Sequence, residues 1–381
     1  MVIREHYETI IQKAMHERKV KIFTGMYRCG KSSLLKAVQR NLRKNGIAYS
    51  NMLYIDFEGA RHSEIRDAGA LLFVVRNLSR GHNRIFLMLD EISNLPDWDL
   101  AIGSIMERYN CDIYLTGTRA SVFDTDGKKE TLLNGNYVEI PVYPYSFREY
   151  MKAASEWKTA APEVYLQDFM IYGNMPGIHK MEHTQDTIFA YLLDVCQAGL
   201  LQNVVRRYKL RNVDQMRMVL ACVAENLGRP LSAKVISQLL KDGGQQIGKD
   251  TVYTILRALC GAQILYKVAR YDEKTGRELE AQEKYYFTDW GMYHSLHGLH
   301  TGRTKALLEN IVCMELLTRG WEVYRLQYAD CGIDFMAVRE GKKRYIQVSE
   351  RAGEKQWESW LKAFKKVGRE QERDVVLFEK E

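Results

Sequence analysis

No stretch of the 381 residues approaches the run of about 20 apolar residues that a membrane-crossing helix needs. The opening residues, Met1-Val2-Ile3-Arg4-Glu5-His6-Tyr7, lack the apolar core of a secretory signal. Seven cysteines stand singly at 29, 111, 196, 222, 260, 313 and 331, with no C-x-x-C pair, so the ligand spacing of a zinc site is missing. An odd, dispersed set of thiols points to a reduced, cytoplasmic protein without a disulfide framework. A strong charge of one sign is also absent, since 55 Lys+Arg against 48 Asp+Glu leaves +7. That balance permits nucleic-acid contact without favouring it over contact with an acidic protein. What remains is 46% hydrophobic and 27% charged, the make-up of a soluble globular chain long enough for two or three domains.

The most informative stretch is Gly25-Met26-Tyr27-Arg28-Cys29-Gly30-Lys31-Ser32-Ser33, which fits G-x-x-x-x-G-K-[ST]. A strand-like run, Val20 to Thr24, precedes it, and apolar residues at helical spacing follow from Leu34. Strand, glycine loop and helix form the context a phosphate-binding loop requires. Unpaired N–H groups at a helix start attract the clustered negative charge of a nucleoside triphosphate, and the helix dipole adds to the attraction. Gly25 and Gly30 let the backbone curl without a Cβ. Lys31 is expected to reach the β- and γ-phosphates, and Ser32 to hold Mg2+. Cys29 reads as a small loop filler, with a redox-sensitive thiol beside the phosphates as the alternative.

The next signal is Ile85-Phe86-Leu87-Met88-Leu89-Asp90-Glu91, an apolar run ending in two acids. Such a run reads as a strand buried on both faces, with Asp90 at the end where open α/β sheets bind ligands. There Asp90 is a candidate for holding Mg2+ and Glu91 for polarising the attacking water. Thr116 and Thr118, leaving the strand Cys111 to Gly117, stand at a polar sensor position or make a strand-end hydrogen bond. Helices are expected over Glu5–Arg18, from Ser33 to about Lys44 with Asn45-Gly46 as its stop, and over Glu64–Ser79. Further strands are expected over Asn51–Phe57 and Tyr137–Ile140.

Together G-M-Y-R-C-G-K-S-S-L-L, L-M-L-D-E-I, Y-L-T-G-T and L-L-N-G-N-Y-V-E-I-P-V-Y-P-Y-S-F-R-E-Y (Leu132 to Tyr150), with the later Tyr172-Gly173-Asn174-Met175-Pro176-Gly177, resemble a family of prokaryotic AAA-type ATPases that carry a C-terminal domain of unknown function. The resemblance covers most of the chain and implies ATP binding and hydrolysis. Relatives usually carry arginine where this chain has Asn136, and an arginine there would stabilise transition-state charge. Its absence argues against fast hydrolysis. Arg119 and Arg28 lie near enough in sequence to substitute, although each reads more readily as a surface or structural residue.

A boundary is expected around Trp157 to Pro162, with helices then running to Tyr208 around a break at Gly173–Gly177. From Val213 three short helices follow, at Gln215–Asn226, Ala233–Leu240 and Thr251–Leu259. Paired strands at Gln263–Arg270 and Lys284–Phe287 flank a polar loop, Asp272–Gln282. Three helices and a hairpin make a winged helix-turn-helix, with Asp250–Leu259 as recognition helix carrying Lys249, Tyr253 and Arg257. Contact with double-stranded DNA and contact with a protein partner both remain open.

After Arg303 the expected order is helix (Arg303–Thr318), three strands (Trp321–Leu326, Gly332–Val338, Arg344–Val348), helix (Gln356–Lys366) and strand (Asp374–Phe378). This looks like the restriction-endonuclease fold. In active nucleases of that fold one strand ends in aspartate and the next carries acid, any residue, lysine, which bind Mg2+ and orient water. Asp334 and Glu309 match, but Gln347 stands where the second acid belongs and Ser349 where the lysine belongs. Nuclease activity is therefore not expected. Lys342-Lys343-Arg344 and Lys362, Lys365 and Lys366 give local positive charge or a solvated surface.

The expected architecture is α/β in three parts. A P-loop AAA-type parallel-sheet domain spans residues 1–158, a helical and winged-helix domain 159–300, and a small α/β restriction-endonuclease-like domain 301–381. The expected activity is Mg2+-dependent ATP hydrolysis coupled to DNA through the winged helix. The alternative is a slow nucleotide-dependent switch that binds a protein through its C-terminal half.

Overall fold

The computed structural model describes residues 4–15, 17–59, 64–122, 132–200, 212–299, 304–328, 332–350, 361, 363 and 372–377. The chain divides into two compact units, residues 1–143 with 261–263, and residues 144–260 with 264–381.

In the first unit, α1 (Glu5–Ala14) leads to β1 (Val20–Gly25), and α2 (Lys31–Lys44) follows the glycine loop. Then come β2 (Met52–Asp56), α3 (Ala68–Ser79), β3 (Ile85–Asp90), α4 (Trp98–Arg108), β4 (Cys111–Gly117), the short α5 (Arg119–Val122) and β5 (Tyr137–Val142). The strands form one parallel sheet in the order β2-β3-β4-β1-β5. β1 and β3 are buried at every position, which is why they read as unbroken runs with no alternation. Ile22, Leu87, Leu89, Ile113 and Leu115 of the sheet pack with Leu71 and Val75 of α3 and with Ile102 and Ile105 of α4. One charged pair lies inside. Lys21 Nζ meets Asp112 Oδ1 and donates to Glu17 O at 2.8 Å, and Asp112 Oδ2 accepts from the Tyr114 hydroxyl at 2.9 Å. With every group partnered, the buried charge is tolerated.

Local chemistry accounts for the helix limits. α2 stops at Lys44, with Gly46 at φ 83° beyond it, the left-handed stop that glycine supplies. The helix expected from Glu64 starts only at Ala68, because the Asp67 carboxylate caps it, accepting from Ala70 N at 2.8 Å.

The second unit opens with α6 (Phe147–Ala154), α7 (Pro162–Tyr172) and α8 (Gln185–Gly199), followed by α9 (Val213–Glu225), α10 (Ala233–Asp242) and α11 (Lys249–Gly261). Ser146 starts α6 with a capping box. Its hydroxyl accepts from Glu149 N and the Glu149 carboxylate accepts from Ser146 N. Phe147 and Tyr150 pack on Phe169, which packs on Trp290. Tyr145 N donates to Asn174 O. The Tyr172–Gly177 turn receives a buried carboxylate, as Asp289 accepts from Asn174 N at 2.6 Å and Met175 N at 2.9 Å. Asp289 also caps α12 (Trp290–His297) through Met292 N at 2.8 Å. Gly173 sits at φ 78°, and a Cβ there would lie 2.5 Å from Asp289 Oδ2, so only glycine admits the carboxylate. The Pro-Tyr-Ser-Phe (Pro144–Phe147) and Tyr-Gly-Asn-Met-Pro-Gly motifs are thus inner packing of this unit.

β6 (Leu265–Asp272) and β7 (Arg277–Phe287) form a longer hairpin than expected. The stretch read as a polar loop over Asp272–Gln282 is a tight turn at 273–276 followed by strand. Asp272 accepts from Lys274 N and the Thr275 hydroxyl, both at 3.0 Å, and Gly276 takes φ 68°. Polarity there marks a solvated strand, which composition alone does not separate from a loop. β6 also pairs with β8 (Glu322–Gln327) in parallel through Arg270 and Arg325. The hairpin therefore belongs to one six-stranded sheet, β11-β10-β9-β8-β6-β7, with β9 (Gly332–Arg339), β10 (Lys342–Ser349) and β11 (Glu372–Leu377). α13 (Thr304–Thr318) precedes β8. Of the helix expected over Gln356–Lys366, only 361 and 363 are among the described residues, so Lys362, Lys365 and Lys366 lie outside them.

Candidate active site

The loop from Gly25 to Ser33 leaves the C-terminal end of β1 and enters α2. Arg28 at φ 61° and Gly30 at φ 112° reverse the backbone. Gly25 admits no side chain, because a Cβ would lie 2.5 Å from Val142 O and 2.6 Å from Cys29 Sγ. The first N–H groups of α2 have no intrahelical acceptor, by the geometry of any helix start. Lys31 is almost fully buried and folds back over the loop. Its ammonium donates to Gly25 O at 3.0 Å and Met26 O at 3.1 Å, and lies 3.1 Å from Glu91 Oε1. Burial alone would push this ammonium down. The Glu91 carboxylate and its other neighbours outweigh that and raise it above the ordinary lysine value. Cys29 is fully buried and its thiol donates to Val142 O at 3.3 Å. Burial pushes that thiol up against the pull of Lys31 and Arg4. A protonated, enclosed thiol is a filler; a redox-reactive one needs exposure and thiolate character.

The acidic end of β3 meets this loop. Asp90 is buried, and each of its oxygens holds one donor. The Thr116 hydroxyl of β4 donates to Oδ1, and the Tyr54 hydroxyl of β2 donates to Oδ2 at 2.8 Å. Thr116 Oγ1 also accepts from Glu91 N at 2.8 Å. Glu91 takes φ 50°, a strained setting for a non-glycine residue, and that hydrogen bond helps hold it there. Thr116 is thus engaged as a strand-end clamp on both acids. Tyr54 escaped sequence reading. Its only signal is a polar group on the strand that pairs with β3, and strand pairing cannot be read from one strand. Burial and Asp90 raise its phenol far above the ordinary value, so it stays a donor.

Mg2+ takes hard oxygen ligands and keeps several waters. Asp90 retains acceptor capacity on both oxygens beyond its single donors, and Ser32 offers a hydroxyl in the first turn of α2. The donor set fits that ion.

Asn136 O accepts from Val20 N, at the start of β1, whereas the loop leaves its end. Five strand steps separate the two, about 16 Å at about 3.3 Å per residue. A side chain at 136 therefore does not reach this chain's own loop, and the missing arginine says nothing about hydrolysis there. Arg119 does leave β4 on the loop's side, but its Nε pairs with Glu139 Oε1 at 3.2 Å. Arg28 lies over the Tyr27 ring.

The second unit carries a charged cluster that sequence reading only half found. Lys284 of β7 donates to Glu309 Oε2 at 2.7 Å and lies 3.9 Å from Asp334 Oδ1. Lys305 lies 3.6 Å from Glu309 Oε1 and 3.8 Å from Asp334 Oδ2. Gln347 donates to Asp334 Oδ2 at 2.7 Å, and Tyr286 to Glu309 Oε2 at 2.8 Å. Burial and Glu309 raise the Asp334 carboxyl, with Lys284 and Lys305 opposing. The cluster borders an open cavity of about 310 Å³ lined by Glu225, Arg229, Lys305, Glu309 and Glu350 among others. No group of three or more His, Cys, Asp or Glu side chains suited to a metal occurs among the described residues. No described helix is long and apolar enough to cross a membrane.

Residues 17–151 match the family model of an AAA domain, and residues 163–303 match a domain of unknown function. An uncharacterised protein of Haemophilus influenzae is 28% identical over 352 residues, covering 92% of this chain and 87% of that protein. An uncharacterised protein of Methanocaldococcus jannaschii is 24% identical over 376 residues, covering 94% and 80%. Among solved structures, the Walker-type ATPase PABY2304 of Pyrococcus abyssi shares the fold with a TM-score of 0.55 and 14% identity, over 77% of this chain and 95% of that one.

Proposed function

We propose that the chain is a Mg2+-dependent ATPase that binds ATP at residues 25–33 and hydrolyses it to ADP and phosphate. The observation that carries this reading is the meeting of the loop lysine with the acidic strand end, Lys31 Nζ at 3.1 Å from Glu91 Oε1. The match of residues 17–151 to an AAA domain supports it. In this mechanism the N–H groups at the start of α2 and the Lys31 ammonium receive the β- and γ-phosphate oxygens. As Lys31 turns to a phosphate oxygen it releases the Glu91 carboxylate, which then accepts a hydrogen bond from water in line with the γ-phosphorus. Ser32 and Asp90 would hold Mg2+, which would supply positive charge to offset that of the phosphates. Thr116 keeps Asp90 and the Glu91 backbone in place.

The second half, in this reading, comprises a winged helix within 159–300 and a nuclease-like but inactive layer over 301–381. The α9–α10–α11 helices followed by the β6–β7 hairpin support the first part. Gln347 and Ser349, with both carboxylates engaged by lysines, support the second. Double-stranded DNA is one partner this arrangement suits, through Lys249 and the 61% exposed Tyr253 of α11. A protein partner is favoured instead by the exposed Val235 and Leu239, four residues apart on α10. Six unpaired cysteines among the described residues are in keeping with a cytoplasmic setting.

The test is ATP turnover for wild type and Glu91→Gln, with and without double-stranded DNA. The expectation is Mg2+-dependent turnover that Glu91→Gln lowers at least a hundredfold. Turnover no higher than that of Glu91→Gln refutes the ATPase reading. Turnover indifferent to DNA, together with no salt-sensitive DNA binding, leaves the protein-partner reading.

A further inference from the structure

Tyr54, Asp90 and Thr116 share one face of the central sheet. β2 and β3 pair in parallel with Tyr54 opposite Met88 and Asp56 opposite Asp90, while β4 places Leu115 opposite Leu89. Side chains two apart on a strand point the same way, so the flanking strands each send one hydroxyl to the Asp90 carboxylate. Thr116 takes Oδ1 and Tyr54 takes Oδ2. A carboxylate held at one oxygen can still rotate about its Cβ–Cγ bond; held at both, its plane is fixed.

We propose that Tyr54 is a positioning residue for the cation site: by donating to Asp90 Oδ2 it fixes the plane in which Asp90 meets Mg2+. This rests on the reading of Asp90 as the Mg2+-holding carboxylate. Tyr54 acts through Asp90, as groups hydrogen-bonded to metal ligands do elsewhere. Its phenol is half-buried and donates to Asp90 Oδ2 at 2.8 Å. Phenylalanine keeps the ring, and with it the packing between β2 and β3, and removes only the donor.

The experiment titrates Mg2+ into the full chain with a fluorescent ATP analogue, after first measuring analogue affinity in EDTA. For Tyr54→Phe the Mg2+ concentration at half-saturation is expected to rise about tenfold, the lower end of what losing such an outer partner costs. Affinity in EDTA is expected to stay at the wild-type value. Asp90→Ala is the control for the premise and is expected to abolish the Mg2+ response. Loss of the response in Asp90→Ala with an unchanged midpoint in Tyr54→Phe overturns the role of Tyr54 alone. A retained response in Asp90→Ala overturns the underlying site reading. If Tyr54→Phe does not fold, fluorotyrosine at position 54 gives a more acidic phenol and a stronger donor, expected to lower the midpoint. An unshifted midpoint in that protein refutes the proposal.

Discussion

The Asp289 carboxylate is the most exacting point of the second unit, and it makes a pH prediction of definite sign. It is fully enclosed, yet accepts backbone N–H groups from Asn174, Met175 and Met292. Burial raises its pKa, the N–H donors lower it, and burial prevails, leaving the carboxyl at about 6 against an ordinary 3.8. A folded-state pKa above the unfolded value means that the folded state binds the proton more tightly. The stabilisation is therefore complete below the unfolded value and is lost as pH rises through about 6. Each tenfold change in proton affinity is worth about 1.36 kcal/mol, so a rise from 3.8 to about 6 amounts to about 3 kcal/mol. Asp289→Asn has no proton to bind and presents an N–H to the backbone donors, so it is destabilised at every pH. Its deficit relative to wild type should be largest below the unfolded value of 3.8 and shrink by about 3 kcal/mol by pH 7. Urea unfolding of both proteins, followed through the tryptophan fluorescence that includes buried Trp290, measures this difference across the range. A deficit that stays flat or grows with pH refutes the reasoning, because the backbone donors would then outweigh burial.

Three further outcomes follow from other contacts. Thr116→Val removes the donor to Asp90 and the acceptor for Glu91 N, which should lower turnover at least tenfold and cost about 1–3 kcal/mol of stability; wild-type turnover in a folded variant contradicts the clamp. Lys284→Met takes the hydrogen-bonded ammonium from buried Glu309 and leaves it the more exposed Lys305, which should cost up to about 3 kcal/mol, with Glu309→Leu in the same chain recovering part of it in a double-mutant cycle. Gly25→Ala forces a methyl onto Val142 O and Cys29 Sγ, and isothermal titration should find nucleotide binding weakened at least tenfold.

What was legible in the sequence is what is local along the chain. The glycine loop, the acidic strand end and the helix stops each lie within a few residues, and backbone geometry follows directly from such patterns. What stayed hidden depends on which strands become neighbours. The Tyr54–Asp90 bond crosses from β2 to β3, and Lys284 reaches Glu309 from a hairpin read as a separate module. The place of Asn136, beside the start of β1 and far from the loop, stayed hidden for the same reason. Proximity in a family motif said nothing of the sheet edge on which the residue falls. The polar stretch after Asp272 misled because a solvated strand and a loop share a composition.

The seam between β6 and β8 has a consequence for how the chain is made. Among the described residues one register pair joins these strands, Arg270 beside Arg325, and Arg325 donates to Gln282 O at 2.7 Å and Gln327 Oε1 at 2.9 Å. During synthesis the hairpin leaves the ribosome about 40 residues ahead of β8, an interval of a few seconds at ordinary elongation rates. Throughout it β6 offers a bare edge to any passing strand, and until α13 is made Lys284 has no carboxylate from it. A chain cut near residue 300 makes that interval permanent. Nascent or truncated products ending between 288 and 321 are thus expected to engage a chaperone more than the full chain does.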